Sequence, residues 1–534
     1  MFEYEGRVFR PPSEAYSLTL PETVVRQCKS ALGPLTAFKR MVNSGGKPEF
    51  EDVPLTGEAF PHDHAKLPAE IPQTGDRGIR LADVVNGKNT LEEFTAQLTD
   101  YDLSCIIRGE GMGSPKVTAG TAAAFGGVSD TLTALGIPCA CCDDGPSGMR
   151  LDCGTKAFSL PNGTLLASTF DRPLMTELFT FMGLEMHTNQ VDCLLGPGMN
   201  IHRHPLNGRN FEYFSEDPYL TGEMASAELA GLHSTGAEGT IKHFCGNNRE
   251  TRRHFLDSVI SERALREIYL RGFEKAVKKG GAKSVMTTYG QVNGVWTAGN
   301  YGLVTGILRD DWGFDGFTMT DWWANINRRG KAPDKSDFAA MAMAQNDVYM
   351  VTADGAACND NTLDSLKSGE LTRGELQRNA MNILRFLTTT HAMKRVMGCD
   401  DETEIINRPA DAGDVDSTDI EFHDIDEDLT LDLTGITTEK GSSYAFGLNV
   451  SKPGVYKVTL TASSTLSELA QTSVSIFALG SPCGMFTFNG TGGAPVSQTK
   501  DVKFLSNFMP IRLYFGGSGL KTQSIRFELK ERWT

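Results

Sequence analysis

No run of this 534-residue sequence stays apolar for the roughly 18 residues that a membrane-crossing helix requires, so no membrane span is expected. The first residues, MFEYEGRVFRPPSEAYS, lack the basic-then-apolar pattern of a secretory leader, and the expected location is the cytoplasm. Positive charge is in deficit: 51 Lys and Arg stand against 67 Asp and Glu, a net charge of −16. Such a surface repels phosphate backbones, which argues against nucleic acid as a partner. Paired cysteine spacing is also missing. The eleven cysteines are an odd number, and Cys105, Cys141, Cys142 and Cys193 sit in apolar runs, as reduced, buried thiols do. Cys139, Cys141, Cys142 and Cys153 suggest zinc at first sight. The first three, however, fall in a buried-strand pattern, Ile137–Cys142, where alternate side chains point to opposite faces. His202 and His204 form an H-x-H pair with no third ligand nearby. No metal and no organic cofactor is expected.

What is present divides into blocks. A chain of this length exceeds one compact core, so two or three domains are expected. Residues 1–75 are weakly patterned and rich in Pro and Gly, with one helix expected over Glu22–Val42; this block reads as an N-terminal extension or a remnant of another domain. Residues 76–400 alternate short apolar runs with helical patterns. Strands are expected at Gly136–Cys142, Val191–Leu195, Gly239–Phe244, Ala282–Thr288, Gly316–Thr320 and Asp347–Val351. Between them, Arg172–Thr188 and Ser261–Lys279 carry apolar residues at helical spacing, the second behind a Ser cap. Alternation over about 300 residues predicts an α/β fold, a (β/α)8 TIM-type barrel. A doubly wound sheet is the other option, weakened because no G-x-G-x-x-G or phosphate loop follows a strand. Residues 401–417 are acidic and poor in apolar side chains, a linker. Residues 418–534 change to period two, which predicts an all-β sandwich.

Reacting groups of a barrel stand at the C-terminal ends of its strands. Here polar clusters follow the strands one after another. Gly136–Cys142 runs into Asp143-Asp144-Gly145-Pro146-Ser147-Gly148-Met149-Arg150, and Val191–Leu195 into a loop that reaches Gly208-Arg209-Asn210-Phe211-Glu212. Gly239–Phe244 contains Lys242-His243, with Asn247-Asn248 following. Ala282–Thr288 contains Met286 and leads to Tyr289, and Gly316–Thr320 delivers Asp321-Trp322-Trp323. The runs D-G-P-x-G-x-R, G-R-N-F-E-x-F-S-E-D-P, K-H-F with N-N, M-x-x-Y-x-x-V-N-G and G-F-x-x-x-T-D-W-W, in this order, resemble the barrel motifs of glycoside hydrolase family 3, in its β-glucosidase-like branch.

The resemblance implies a retaining exo-β-glycosidase, first of all a β-glucosidase, that forms a covalent glycosyl-enzyme intermediate on Asp321. It implies Asp144 and Arg150 as ligands of sugar hydroxyls. Arg209, Lys242 and His243 would donate to hydroxyls and hold a positive field that lowers the pKa of Asp321. Tyr289 would steady the nucleophile or a hydroxyl, Met286 would face the ring, and Trp322 would stack on it; for Met286 and Trp323 core packing competes. Glu212, Glu216 and Asp217 read as rim organisers. The expected partner is a glucoside or oligosaccharide.

Two other functions stay open: a non-catalytic or weakly active carbohydrate-binding barrel, and a β-xylosidase or arabinosidase. In family 3 the general acid usually comes from a separate α/β-sandwich domain, and none is recognisable here. The acid could belong to a missing domain, to a second subunit, or to a local carboxylate among Glu49, Glu51 and Glu58. The C-terminal block resembles carbohydrate-binding modules in outline, with Phe486, Phe488, Tyr514 and Trp533 as platform candidates. The acidic run Glu421–Asp428 could bind calcium, but a solvated loop is the expectation.

Overall fold

A computed structural model describes residues 2–4, 7–9, 38–44, 47–53, 67–152, 157–327, 332–401, 420–478 and 481–532. Near the N-terminus Phe38–Ser44 pairs antiparallel with Lys47–Val53. The helix expected over Glu22–Val42 is therefore corrected at its end: residues 38–42 are strand, and 22–37 lie outside the described residues. Period-two residues Phe38, Arg40 and Val42 on a β-pairing segment explain the change. Cys28, Cys153, Glu58 and Trp533 also lie outside the described residues.

The middle of the chain forms one eight-stranded sheet. Its strands are β1 Arg108–Glu110, β2 Ala123–Gly126, β3 Cys139–Asp144, β4 Cys193–Leu195, β5 Glu238–Phe244, β6 Ser284–Thr287, β7 Phe317–Met319 and β8 Tyr349–Thr352. They are ordered β7-β6-β5-β4-β3-β2-β1-β8. A single parallel bridge from Met319 to Val348 brings the two ends together, so the sheet is a nearly closed, barrel-like one. The fold departs from an all-parallel (β/α)8 plan at one strand: β2 runs antiparallel to both β1 and β3. The reason is legible afterwards. Residues 111–122 carry three glycines, a proline and no helical pattern, so nothing can cross over to return the chain in parallel. This short stretch also hid β1 and β2 from periodicity.

Helices follow their end signals. Arg172–Thr188 begins where Asp171 accepts the Leu174 N–H at 3.1 Å, with Pro173 in the first turn. Pro218–His233 begins at Asp217, which accepts the Tyr219 N–H at 2.7 Å. Arg373–Leu387 starts with a reciprocal Thr372–Glu375 capping box. The segment expected as Ser261–Lys279 is capped by Ser261 but takes a π-helical turn over Leu265–Tyr269 before continuing as Arg271–Lys278. Cys141 and Cys142 enter two different hydrophobic clusters of the barrel, as neighbours on a strand must.

Beyond residue 420 the chain forms two sheets. One holds Phe422–Ile425, Ser443–Val450, Phe508–Phe515, Gln471–Ala478 and Ser481–Asn489; the other holds Asp428–Asp432, Leu520–Arg532, Gly454–Ser464 and Val496–Phe504. Both contribute to one core that includes Phe446, Tyr456, Phe486, Phe488 and Phe527. Phe486 and Phe488 are thus core residues, while Tyr514 is exposed. The acidic run Glu421–Asp428 is corrected from loop to strand over Phe422–Ile425. Its charges are answered locally: Asp424 by Asn449 at 2.8 Å, and Asp426 by Lys452 at 3.0 Å.

The closing seam is held by Asp347. Its Oδ2 accepts from the Thr318 N–H of β7 at 2.9 Å and from Arg309 at 2.6 Å, and its Oδ1 from Asn382 at 3.1 Å. Asp347 and Thr318 are fully buried, and breaking such a buried pair leaves a charge uncompensated. Asp347→Ala should therefore cost about 3–5 kcal/mol of stability. Urea unfolding checks this; a loss below about 1 kcal/mol, the size of an exposed pair, would show that the clasp does not hold the seam.

Candidate active site

The tip of β3 supplies two adjacent carboxylates of opposite character. Asp143 is fully buried, with no hydrogen-bond partner for either oxygen, and burial together with Asp144 and Asp152 pushes its pKa well above the carboxylate range. Asp144, one residue on, points the other way and accepts from Lys242 Nζ at 2.9 Å, with Arg150 at 3.7 Å. Desolvation opposes its charge, yet Lys242 and Arg150 hold its pKa below the ordinary value. The turn that follows needs its glycines. Gly145 has φ +139°, and a Cβ there would stand 1.8 Å from the Gly148 carbonyl oxygen.

The tip of β5 delivers Lys242 and His243, both buried. His243 is held on two sides. Its N–H donates to Asn200 Oδ1 at 2.9 Å, while the Asn200 amide donates back to its carbonyl at 2.9 Å. Its Nδ1 lies 3.1 Å from the Tyr213 hydroxyl. Burial, then Arg209, Lys242 and Arg253, hold the pKa of His243 well below its usual value, so the ring is neutral.

Asp321 stands just past β7, with 6% of its surface exposed. Its two oxygens are unequal. Oδ1 accepts the Trp322 N–H at 2.8 Å; Oδ2 is buried with no hydrogen-bond partner, 3.6 Å from His243 Nε2. Tyr289 lies alongside: burial and the Asp321 charge raise its pKa well above the phenol range, so it keeps its proton. The Arg253 guanidinium covers the Tyr289 ring at 4.4 Å. Trp323 N donates to the Met350 carbonyl at 2.7 Å, which ties this tip to β8.

One expectation is corrected here. The cationic field was expected to leave the pKa of Asp321 lowered. Burial instead pushes it up to about 6, against the pull of Arg209, the Trp322 N–H, Arg253 and Lys242. Desolvation of an almost sealed carboxylate outweighs the nearby cations.

The structure thus brings Asp144, Arg150, Arg209, Lys242, His243, Tyr289 and Asp321 into one electrostatically connected cluster. Arg209 is additionally ion-paired with Glu212. Met286 is a core side chain, 2% exposed. Trp322 is buried with 8% exposed and packs into the barrel core, and Trp323 is the half-buried member of the pair. Glu212 and Asp217 organise the rim, by the Arg209 pair and the helix cap. His202 bonds the Tyr213 carbonyl and His204 accepts the Leu206 N–H, so each is occupied separately. Sequence reasoning missed Tyr213, Glu250 and Arg253. Tyr213 lay inside a quoted motif at its one unspecified position, and the other two follow Asn247 in a loop without periodicity.

Residues 76–386 match the family model described as the glycosyl hydrolase family 3 N terminal domain. The chain belongs to glycosyl hydrolase family 3. Across 99% of its length this family 3 chain is 59% identical to a beta-glucosidase of Ruminococcus albus, of which it covers 58%. A crystal structure of a beta-glucosidase from Paenibacillus barengoltzii aligns with 93% of the chain at 43% identity and a TM-score of 0.65, covering 54% of that protein. Beta-glucosidase 3B from Thermotoga neapolitana, solved with alpha-D-glucose, aligns with 59% of the chain at 35% identity and a TM-score of 0.53, and 44% of that protein is covered. The chain therefore spans about half the length of these relatives.

A folded-state pKa of about 6 for Asp321, above the ordinary 3.8, means that the fold favours the protonated carboxyl. Its ionisation costs stability that is lost as pH rises from about 4 through 6. Asp321→Asn removes that cost. The stability of the Asn form relative to wild type should rise between pH 4 and pH 8 by up to about 3 kcal/mol. Urea midpoints at the two pH values measure it, and a pH-independent difference would refute the assigned shift.

Proposed function

We propose that this family 3 chain carries the nucleophile-bearing barrel of a retaining, exo-acting β-glucosidase. One observation carries the reading: Asp321 has one oxygen fixed by a backbone N–H and the other left without a partner at the end of a barrel strand, beneath a ring of cations. A carboxylate so held can attack an anomeric carbon. Oδ2 forms the bond to that carbon, the aglycone oxygen leaves, and water later releases the sugar from the ester. Asp144 and Arg150 would take sugar hydroxyls, with Lys242 bridging to Asp144. Arg209 and His243 would donate to the sugar or to the developing charge, Tyr289 would steady Asp321, and Trp322 would support the ring platform. The beta-glucosidases of Ruminococcus albus and Paenibacillus barengoltzii support the choice of glucose.

The same reading treats residues 76–400 as a TIM-type barrel with one reversed strand and 418–534 as a β-sandwich; the linker expected over 401–417 lies, but for residue 401, outside the described residues. It places the general acid outside the described barrel. Among the described residues the carboxylates of the cluster are engaged: Asp144 by Lys242, Glu212 by Arg209, Glu250 by Arg253 at 2.9 Å. A domain absent from the matched region, a second subunit, or the N-terminal Glu49, Glu51 or Glu58 would have to deliver the proton.

Aryl β-glucosides with good leaving groups test this. The chain should hydrolyse them, and Asp321→Asn should abolish turnover. Because general acid help contributes about 10²–10⁴-fold, alkyl glucosides should lag the activated substrate by more than that margin when the acid is not supplied. Since Asp321 must be ionised to attack, kcat/KM should fall about tenfold per pH unit below about 6. Sugar binding without turnover would instead identify a binding barrel.

A further inference from the structure

The polarity of a hydrogen-bond chain behind His243 can be read from one end. Glu250 accepts from Arg253 at 2.9 Å; an ionised carboxylate has no proton to give. Asn247 lies 2.9 Å from Glu250 Oε1, so the amide must turn its nitrogen that way. The same Nδ2 is 2.9 Å from the Tyr213 hydroxyl oxygen and therefore donates to it. Tyr213 is fully buried, and with its oxygen accepting from Asn247, its own proton is free for the atom 3.1 Å away, His243 Nδ1. A nitrogen that accepts carries no hydrogen. In a neutral ring the proton must then sit on Nε2, the atom 3.6 Å from Asp321 Oδ2. The competing acceptor for Nδ1, Asn200 Oδ1, is farther at 3.4 Å and already takes the His243 backbone N–H.

We propose that Tyr213, oriented by Asn247 and Glu250, is a positioning residue that locks His243 in the Nε2–H tautomer and so aims an N–H at the unpartnered oxygen of Asp321. At 3.6 Å the N–H lies beyond hydrogen-bond reach: it favours the anion without occupying the oxygen that must attack. The other tautomer would turn a lone pair on that oxygen and repel it. The proposal rests on the reading of Asp321 as nucleophile, but the tautomer itself does not need turnover to be seen.

The test is nitrogen NMR on the full chain labelled with ¹⁵N-histidine, with His243 identified by comparison with His243→Gln. In wild type His243 should show a protonated Nε2 and a hydrogen-bonded, unprotonated Nδ1. Tyr213→Phe keeps the ring but removes the hydroxyl, and should shift Nδ1 to the position of an unbonded lone pair. Asn247→Asp replaces the donor by an acceptor. Tyr213 should then donate to residue 247 and accept from His243, which moves the proton to Nδ1. A mere packing role for Tyr213 would not reverse the tautomer from residue 247. On an aryl β-glucoside, Tyr213→Phe should lower kcat about tenfold, the size of one buried hydrogen bond, with KM little changed. Nδ1–H in the wild type, or spectra unmoved by both substitutions, would overturn the proposal. If wild type shows no turnover while the tautomer behaves as stated, the relay stands and the assignment of Asp321 as nucleophile falls.

Discussion

A carboxylate held almost out of water at the end of a strand sets the terms for everything around it. Ionising Asp321 costs free energy that the protein recovers only in part, through Arg209, the Trp322 N–H, Arg253 and Lys242. Those cations are themselves not free. Arg209 is held by Glu212, Arg253 by Glu250, and Lys242 by Asp144. The result is a lattice of alternating charge spread over the tips of β3, β5 and β7 and the loops between them. It is stable only while those tips keep their spacing, because interactions between partly buried charges fall steeply when geometry is lost.

The barrel supplies that spacing, and one of its thinnest joints lies beside Asp321. Between β7 and β8 the sheet closes by a bridge at Met319 and Val348, with no strand-length ladder there. Asp347, Arg309 and Asn382 reinforce the seam below Asp321, and the Trp323 N–H bonded to Met350 reinforces it above. Buried ion pairs seldom add net stability against apolar packing, but they fix register. Register is what the end of β7 needs, since a shift of one residue would turn Asp321 away from His243.

Much of this was legible in the sequence, for physical reasons that differ by residue. The six strands with continuous apolar runs were found because parallel strands buried on both faces read as such. The cluster residues Asp144, Lys242, His243, Tyr289 and Asp321 were legible as candidates because each stands at the end of such a run or just past it. β1 and β2 were missed: β1 carries the charged Arg108 and Glu110 and β2 is mostly alanine and glycine, so neither reads as an apolar β-branched run. The direction of the Asp321 shift was misjudged because sequence reveals neighbours in the chain but not the depth of burial, and here burial is the larger influence. Tyr213 was invisible for another reason. Its role depends on which way an amide 34 residues away in sequence is turned, and no local pattern encodes that.

The same electrostatics bear on where a proton donor can stand. A general acid must hold its proton near neutral pH, which calls for a desolvated carboxyl away from cations. Within the cluster, Lys242 and Arg150 keep Asp144 below the ordinary range, while burial lifts only the almost sealed Asp321. Two buried carboxyls, Asp143 and Glu228, are pushed well above it, but both are sealed within the barrel and cannot reach a leaving group. The cations that pull against the burial of Asp321 would pull in the same direction on the proton of a second carboxyl placed among them. Nucleophile and acid are most easily reconciled when they occupy separate surfaces that meet only across the substrate, and the described barrel has the properties of the nucleophile's side.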